Sequence, residues 1–187
     1  MIRNTYFQSI EAFKDKQVIK VLTGIRRCGK SVLMEQFMQS LLDKGVSERQ
    51  ITYIRLDDLD NELLLEYHNL YAFIKSALLE DRMNYVFIDE VQLCKDFQKP
   101  VETLFNCKNV DLYLTGSNAD LLSGELATLL SGRYVTIDML PFSFCEYLEC
   151  IKENNFPAQT TEENYYDYVK FGSMPFTVQL KKNTESV

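Results

Sequence analysis

One eight-residue stretch near the start of the chain constrains its fold more than any other feature. Residues 24–31 read GIRRCGKS and match the pattern G-x-x-x-x-G-K-[ST]. The apolar residues 18–23 in front of it predict a short buried strand, and behind it Leu33, Phe37 and Leu41 recur every four residues, as on one face of a helix. A strand, a glycine-bounded loop and a helix form the local geometry of a phosphate-binding loop, because backbone N–H groups and the helix start then point at one anion.

Each part of this loop has an expected contact with a bound nucleotide. Lys30 is expected to reach the β- and γ-phosphates of ATP, and the Ser31 hydroxyl is expected to bind Mg²⁺. The alternative is a glycine turn that leads into an amphipathic helix and binds no ligand. The predicted cofactor-binding residues are Gly24, Ile25, Arg26, Arg27, Cys28, Gly29, Lys30, Ser31 and Val32.

Cys28 lies inside this loop and has two interpretations. A thiol in an anion-binding loop is expected to have a lowered pKa and to react readily, so that bound nucleotide would shield it. The alternative is a small, inert side chain that fills the loop.

An apolar strand that ends in two acids supplies the second part of the predicted site. Residues 85–88 read YVFI and run directly into Asp89 and Glu90, with one predicted strand, residues 51–56, between them and the loop. This is the Walker B pattern. Asp89 is expected to hold Mg²⁺ through water, and Glu90 to polarise the water that attacks the γ-phosphate.

Three further residues are candidates for catalysis. Ser117 and Asn118 follow a predicted fourth strand, residues 111–115, where a polar side chain could contact the γ-phosphate or the attacking water; turn chemistry explains them equally well. Arg133 precedes a predicted fifth strand, residues 134–139. It suits a finger that reaches the γ-phosphate of a neighbouring subunit, and the alternative is an ordinary surface arginine.

Other polar residues offer weaker evidence for a site. Asp57, Asp58 and Asp60 follow the second predicted strand, where a solvated turn is favoured over a metal cluster. His68 is the only histidine, and the five cysteines include no C-x-x-C spacing, so no zinc site is expected. An odd number of cysteines without C-x-x-C spacing is typical of reduced thiols in a cytoplasmic protein.

Composition excludes several classes of function. The net charge of −7 and the pI near 4.8 argue against a surface built to hold nucleic acid, although a small basic patch is compatible with them. The N-terminal residues lead into no apolar segment of a secretion signal, and no apolar run approaches the roughly 18 residues of a membrane span. We therefore expect no membrane partner.

Taken together, these residues resemble the prokaryotic AAA-like ATPases, which pair an N-terminal P-loop domain with a C-terminal nuclease-like domain of unknown function. The resemblance covers residues 1 to about 178. Its first two stretches are general to P-loop ATPases, and its last two are more specific to the family. These stretches are residues 24–31, residues 86–92 (VFIDEVQ), residues 114–118 (LTGSN), and residues 132–133 with 140–143 (LPFS) and Glu146.

The resemblance implies a three-layer α/β P-loop NTPase fold. Its sheet is expected to be mainly parallel and five-stranded, in the order 5-1-4-3-2, with helices on both faces. Lys30, Ser31, Asp89 and Glu90 carry over to their usual roles, whereas Ser117, Asn118 and Arg133 carry over less securely.

The resemblance also implies a domain boundary. Residues 1–155 are expected to form the ATPase core and residues 156–187 the start of a C-terminal region. Residues 172–175 (GSMP) look like the family's glycine-proline junction, after which the sequence soon stops. We therefore expect a piece that lacks lid contacts and regulation, in which hydrolysis is slow or absent.

Three functions compete at this stage. The leading one is Mg²⁺-dependent hydrolysis of ATP, with a homo-oligomer and an unknown protein or nucleic-acid partner of the C-terminal region as possible partners. A small-molecule kinase shares the loop, but its acceptor pocket and arginine-rich lid are not evident. A nucleotide-gated binding module with little turnover is the third. ATP is favoured over GTP because the chain has no N/T-K-x-D motif.

Overall fold

A parallel sheet of five strands forms the middle of the molecule. The computed structural model describes residues 3–116, 132–154, 156 and 158–178. The strand order is β2-β3-β4-β1-β5, and every neighbouring pair is parallel, which confirms the predicted order. The strands are β1 (Ile19–Gly24), β2 (Ile51–Arg55), β3 (Asn84–Asp89), β4 (Val110–Thr115) and β5 (Tyr134–Met139).

Six α-helices lie wholly within the described residues and connect or flank these strands, and a further helical segment begins at residue 175. Short 3-10 turns at Glu48–Gln50, Leu59–Leu65 and Val91–Leu93 complete the connections. The helices are α1 (Asn4–Ala12), α2 (Lys30–Asp43), α3 (Tyr67–Ala77), α4 (Gln98–Phe105), α5 (Phe144–Glu153) and α6 (Thr161–Phe171).

Both faces of the sheet are covered, so the fold has three layers. On β3, Phe87 belongs to the apolar cluster that includes Phe37 of α2, whereas Val86 and Ile88 belong to the cluster that includes Leu70 of α3. A strand buried on both faces reads as a continuous apolar run, because successive side chains enter opposite layers. This explains why the central strands were evident in the sequence.

The topology places the carboxyl ends of β1, β3 and β4 side by side. Leu22 is level with Thr115, and Ile88 is level with Leu114, so these three strands end close together. The carboxyl edge of such a sheet is where ligands bind in open α/β folds. Gly24, at the end of β1, thus lies near Asp89 and Glu90, at the end of β3.

The last two helices build a smaller apolar cluster beside this edge. Phe142, Tyr147, Ile151 and Val178 are buried in it. Side-chain capping boxes open both helices, at Ser143 with Glu146 in α5 and at Thr160 with Glu163 in α6. The predicted domain boundary at residue 155 stays a prediction.

Candidate nucleotide-binding site

The loop between β1 and α2 requires glycine at both of its ends. Gly24 has a φ of 142°, and a Cβ built on it would lie 2.3 Å from the carbonyl oxygen of Met139 on β5. Gly29 has a φ of 103° in the left-handed region and is the N-cap of α2. A side chain at either position would strain the turn, which explains the glycine spacing of the pattern.

The donors of this loop converge on one place. Lys30 is only 5% exposed, and its Nζ donates to the carbonyl oxygens of Gly24 at 3.0 Å and Ile25 at 3.3 Å. No side chain caps the N-terminus of α2, so the first N–H groups of this 14-residue helix lack a side-chain acceptor. A buried cation beside an uncapped helix start is a donor set that fits a phosphate group.

A cavity of about 390 Å³ opens over this loop and also reaches Glu90. The structure therefore brings the end of β3 to the predicted loop. It also brings the segment after α6 there. The residues that line the cavity are Arg27, Gly29, Lys30, Ser31, Val32, Glu90, Pro175 and Phe176.

Asp89 is held by hydroxyl groups from both neighbouring strands. It is 1% exposed; the Thr115 hydroxyl donates to its Oδ1, and the Tyr53 hydroxyl donates to its Oδ2 at 3.3 Å. Burial and the adjacent Asp89 carboxylate raise the pKa of Tyr53 far above its ordinary value, so this phenol stays a donor. These two hydrogen bonds thus fix the position of the Asp89 carboxylate.

Glu90 follows in a constrained conformation. Its φ of 55° lies in the left-handed region, and its N–H donates to the Thr115 hydroxyl at 3.0 Å. The Gln92 side-chain amide donates to Glu90 Oε2 at 2.6 Å. Gln92 Oε1 is buried and has no hydrogen-bond partner within the described residues. Thr115 and Gln92 together fix the backbone and the carboxylate of Glu90.

Arg3 joins the N-terminus to the loop. This guanidinium is 6% exposed and donates to the carbonyl oxygens of Cys28 at 3.2 Å and Leu140 at 2.7 Å, and to both carboxylate oxygens of Glu146. Burial alone would raise the pKa of Glu146, but Arg3 and the Ser143 donors outweigh it and hold the pKa below its ordinary value. Arg3 thereby ties the outer wall of the loop to the start of α5.

The environment of Cys28 contradicts the expected reactive thiol. The residue is fully buried, and burial raises the pKa of its thiol despite the nearby charges of Lys30 and Arg3. Of the two interpretations, the lowered pKa does not hold, because desolvation outweighs the positive loop, and the favoured small, inert side chain does. Cys28 packs as an inert side chain.

A second cavity, of about 220 Å³, adjoins the first on the other side of the start of α2. The two share Gly29, Val32 and Pro175. Its lining combines apolar and polar side chains. The other residues around it are Arg3, Cys28, Leu33, Gln36, Phe142, Cys150 and Asn154.

Of the three further residues predicted to act in catalysis, only Arg133 lies within the described residues, and it is not brought to this place. Arg133 lies at the start of β5, level with the start of β1. It is therefore at the amino ends of the strands, whereas the loop follows the carboxyl end of β1. Its guanidinium pairs with Glu102 at 3.2 Å, so it does not reach the loop of its own chain. Ser117 and Asn118 lie outside the described residues.

The three aspartates after β2 form a turn, as favoured from the sequence. The side chain of Asp58 accepts the N–H of Asp60 and caps the 3-10 turn at Leu59–Leu65. Among the residues that the structure describes, no group of three or more His, Cys, Asp or Glu side chains could hold a metal ion. The candidate Mg²⁺ donors, Ser31 and Asp89, are too few to hold the ion alone, which suits Mg²⁺ bound mainly by water and phosphate.

Sequence reasoning missed four residues of this site: Arg3, Tyr53, Thr115 and Gln92. Only Thr115 had a usable signal, because a hydroxyl at the end of an apolar parallel strand lies at the ligand edge of the sheet. The other three act through partners that the sequence pattern does not specify.

Comparison with protein families and curated proteins identifies relatives. A family model described as an AAA domain matches residues 16–148. An uncharacterized protein of Haemophilus influenzae is 38% identical over 177 residues, which cover 94% of this chain and 44% of that protein. An uncharacterized protein of Methanocaldococcus jannaschii is 31% identical over 168 residues, or 84% of this chain and 35% of that protein. The chain thus spans less than half the length of these relatives.

Two solved structures illustrate the likeness in fold. AMPPCP-bound DnaA from Aquifex aeolicus has a TM-score of 0.68 at 15% identity, covering 99% of this chain and 61% of that one. Hsp104 from S. cerevisiae, in an extended complex with casein, has a TM-score of 0.63 at 12% identity, covering 96% and 36%. At these identities the likeness shows the fold alone. Within the described residues, no helix has the length and apolar character needed to cross a membrane.

Proposed function

The chain belongs to the AAA domain family, and from this membership we propose that it binds Mg-ATP at residues 24–31 and hydrolyses it to ADP and phosphate. Family and fold support nucleotide binding and hydrolysis in general. One observation carries the specific proposal: Lys30, the uncapped start of α2 and Glu90 all line one cavity.

The loop residues hold the phosphates in this proposal. Lys30 exchanges its two bonds to the carbonyl oxygens of Gly24 and Ile25 for bonds to phosphate oxygens, and the N–H groups at the start of α2 supply further donors. Ser31 and Asp89 would hold Mg²⁺, which would neutralise charge on the phosphates.

Glu90 activates water in the same proposal. Its carboxylate borders the cavity and accepts the Gln92 amide, which leaves the other oxygen for a water proton. The Thr115 hydroxyl donates to the Asp89 carboxylate and accepts the Glu90 N–H, so it holds the metal-binding carboxylate beside the backbone of the water-activating residue.

The second cavity suits the nucleobase. It adjoins the loop, and Val32 and Phe142 offer apolar surface for a flat ring. Gln36 and Asn154 carry amide groups at its border. This mixture of an apolar lining with a few polar groups is typical of small-molecule sites.

Titration calorimetry with Mg-ATP tests the site. Lys30→Ala should weaken binding by more than about tenfold, because a charge-assisted contact contributes roughly 1.5–3 kcal/mol. Lys44→Ala is a matched control: it removes the same charge from an exposed side chain that pairs with Glu11, after α2 has ended. Equal affinity in Lys30→Ala and Lys44→Ala would refute the assignment.

A nucleotide-gated binding module is the second candidate function. The bond from Gln92 holds the Glu90 carboxylate, which favours a site that turns over slowly until a partner releases it. Tight Mg-ATP binding without phosphate release, in a protein with the full length of the relatives, would favour this function. The homo-oligomer, the nuclease-like region and its partner stay predictions.

A further inference from the structure

Arg27 is the residue of the loop whose conformation is least expected. Its φ of 69° lies in the left-handed region, which disfavours any residue with a Cβ. Glycine would occupy this position with less strain. Strained residues persist where the side chain is placed for a purpose, so the position of the guanidinium is informative.

The Arg27 side chain faces the C-terminal segment. Its guanidinium carbon lies 5.6 Å from the centre of the Phe176 ring, in cation–π geometry. In the described ranges no carboxylate lies within ion-pair distance of Arg27, although Arg3, Arg55 and Arg133 each pair with one. The charge of Arg27 is therefore balanced only by an aromatic face.

Arg27 and Phe176 also line the cavity that contains Lys30, Ser31 and Glu90. Under the proposed function, the γ-phosphate is the group nearest Glu90, because Glu90 activates the water that attacks it. Arg27 borders the same space, whereas Arg133 lies at the far edge of the sheet. Among the described residues that line this cavity, Arg27 is the arginine, so its guanidinium is placed to reach this phosphate.

We propose that Arg27 distinguishes ATP from ADP by binding the γ-phosphate, and that it leaves the Phe176 ring when it does so. A guanidinium binds a phosphate through charge-assisted bonds, which are stronger than its contact with a ring at an exposed site. ADP lacks that phosphate and leaves the contact intact. This inference rests on the proposed function and adds to it a residue that reads the nucleotide state.

Phe176 transmits the change to the segment that follows α6. Ser173 in this segment accepts the Phe142 N–H at 2.8 Å, and Val178 is buried with Phe142 and Tyr147. Phe176 itself is exposed, so the Arg27 contact is the one that nucleotide can remove without opening this cluster.

A single introduced tryptophan tests the inference. The chain contains no tryptophan, so Phe176→Trp gives one fluorophore whose ring keeps the contact with Arg27. Its emission should differ between Mg-AMPPCP and Mg-ADP. Adding Arg27→Ala should abolish the difference, whereas adding Arg49→Ala, an equal loss of charge from an exposed residue outside the loop, should preserve it.

Calorimetry on the chain without the Phe176→Trp substitution provides an independent readout. Arg27→Ala should reduce the preference for AMPPCP over ADP about tenfold or more, and Arg49→Ala should leave it within about twofold. An unchanged preference in Arg27→Ala, or identical emission with both nucleotides, overturns the inference while nucleotide binding stands. Failure of either nucleotide to bind the unmodified chain overturns the proposed function itself.

Discussion

Replacing Thr115 by valine tests how the two acids are held. Thr115→Val keeps the shape of the side chain and removes the hydroxyl that donates to Asp89 and accepts from the Glu90 N–H. Because Asp89 is almost fully buried, water cannot replace the lost donor. We expect both a lower free energy of unfolding and slower phosphate release.

The size of the effect follows from these two contacts. Leaving a buried group without its partner costs about 1–3 kcal/mol, and more for a charged group. Two neighbouring groups lose their partner, and their costs add only in part because the structure around them relaxes. Thr115→Val should therefore lower the free energy of unfolding by about 2–4 kcal/mol. For a chain of this size that is a decrease of roughly 5–15 °C in Tm.

Thr23→Val is a matched control. Thr23 is also buried, and its hydroxyl donates to Asp138 on the neighbouring strand, but Asp138 is exposed and water can replace the donor. This variant should cost about 1 kcal/mol or less. Thr115→Ser retains the hydroxyl and should cost less than Thr115→Val.

Urea unfolding and thermal scans of the three variants provide the measurement. The reasoning fails if Thr115→Val is no less stable than Thr23→Val. It also fails if Thr115→Ser loses as much stability as Thr115→Val, because the methyl group rather than the hydroxyl would then matter.

Glu90→Gln should bind Mg-ATP normally but stop turnover, since an amide keeps the shape and loses the base; unchanged phosphate release would remove Glu90 from the mechanism. Arg133→Ala should bind ATP but hydrolyse it roughly 10³–10⁵-fold more slowly if it acts in trans. Mixing it with Lys30→Ala should then restore some activity, and no recovery, with specific activity constant on dilution, would exclude that role. Because Arg3 holds the pKa of Glu146 below its ordinary value of 4.5, the stability from this pair is present above pH 4.5 and lost as pH falls through the folded-state pKa. In urea titrations at several pH values, Glu146→Gln should reduce the decrease in the free energy of unfolding at acid pH. An unchanged pH dependence would contradict this expectation.

Much of the fold was predictable because its signals are local. The loop pattern lies between a buried strand and a helix, and the central strands are mostly apolar, with Lys20 and Asp111 as a buried pair within them. The strand order came from the resemblance, which the parallel pairing confirms. Asp89 and Glu90 followed from their place at the end of a buried strand, where a parallel sheet presents its ligand edge.

Two residues show where local reasoning ends. The sequence left two interpretations of Cys28, and only the structure, which buries the thiol completely, shows that desolvation raises its pKa. Arg133 precedes the fifth strand and so lies away from the loop of its own chain, and its role in a neighbouring subunit stays a prediction.

By itself, the sequence determined which residues form the loop and the acid pair, because backbone geometry and strand burial are encoded within a few neighbouring positions. Only the tertiary structure decided that Thr115 and Tyr53 hold Asp89, that Arg3 supports the loop, and that Phe176 lies on Arg27. These contacts join residues far apart in the chain. Each depends on how strands and helices pack in three dimensions, which sets the distances that no local pattern contains.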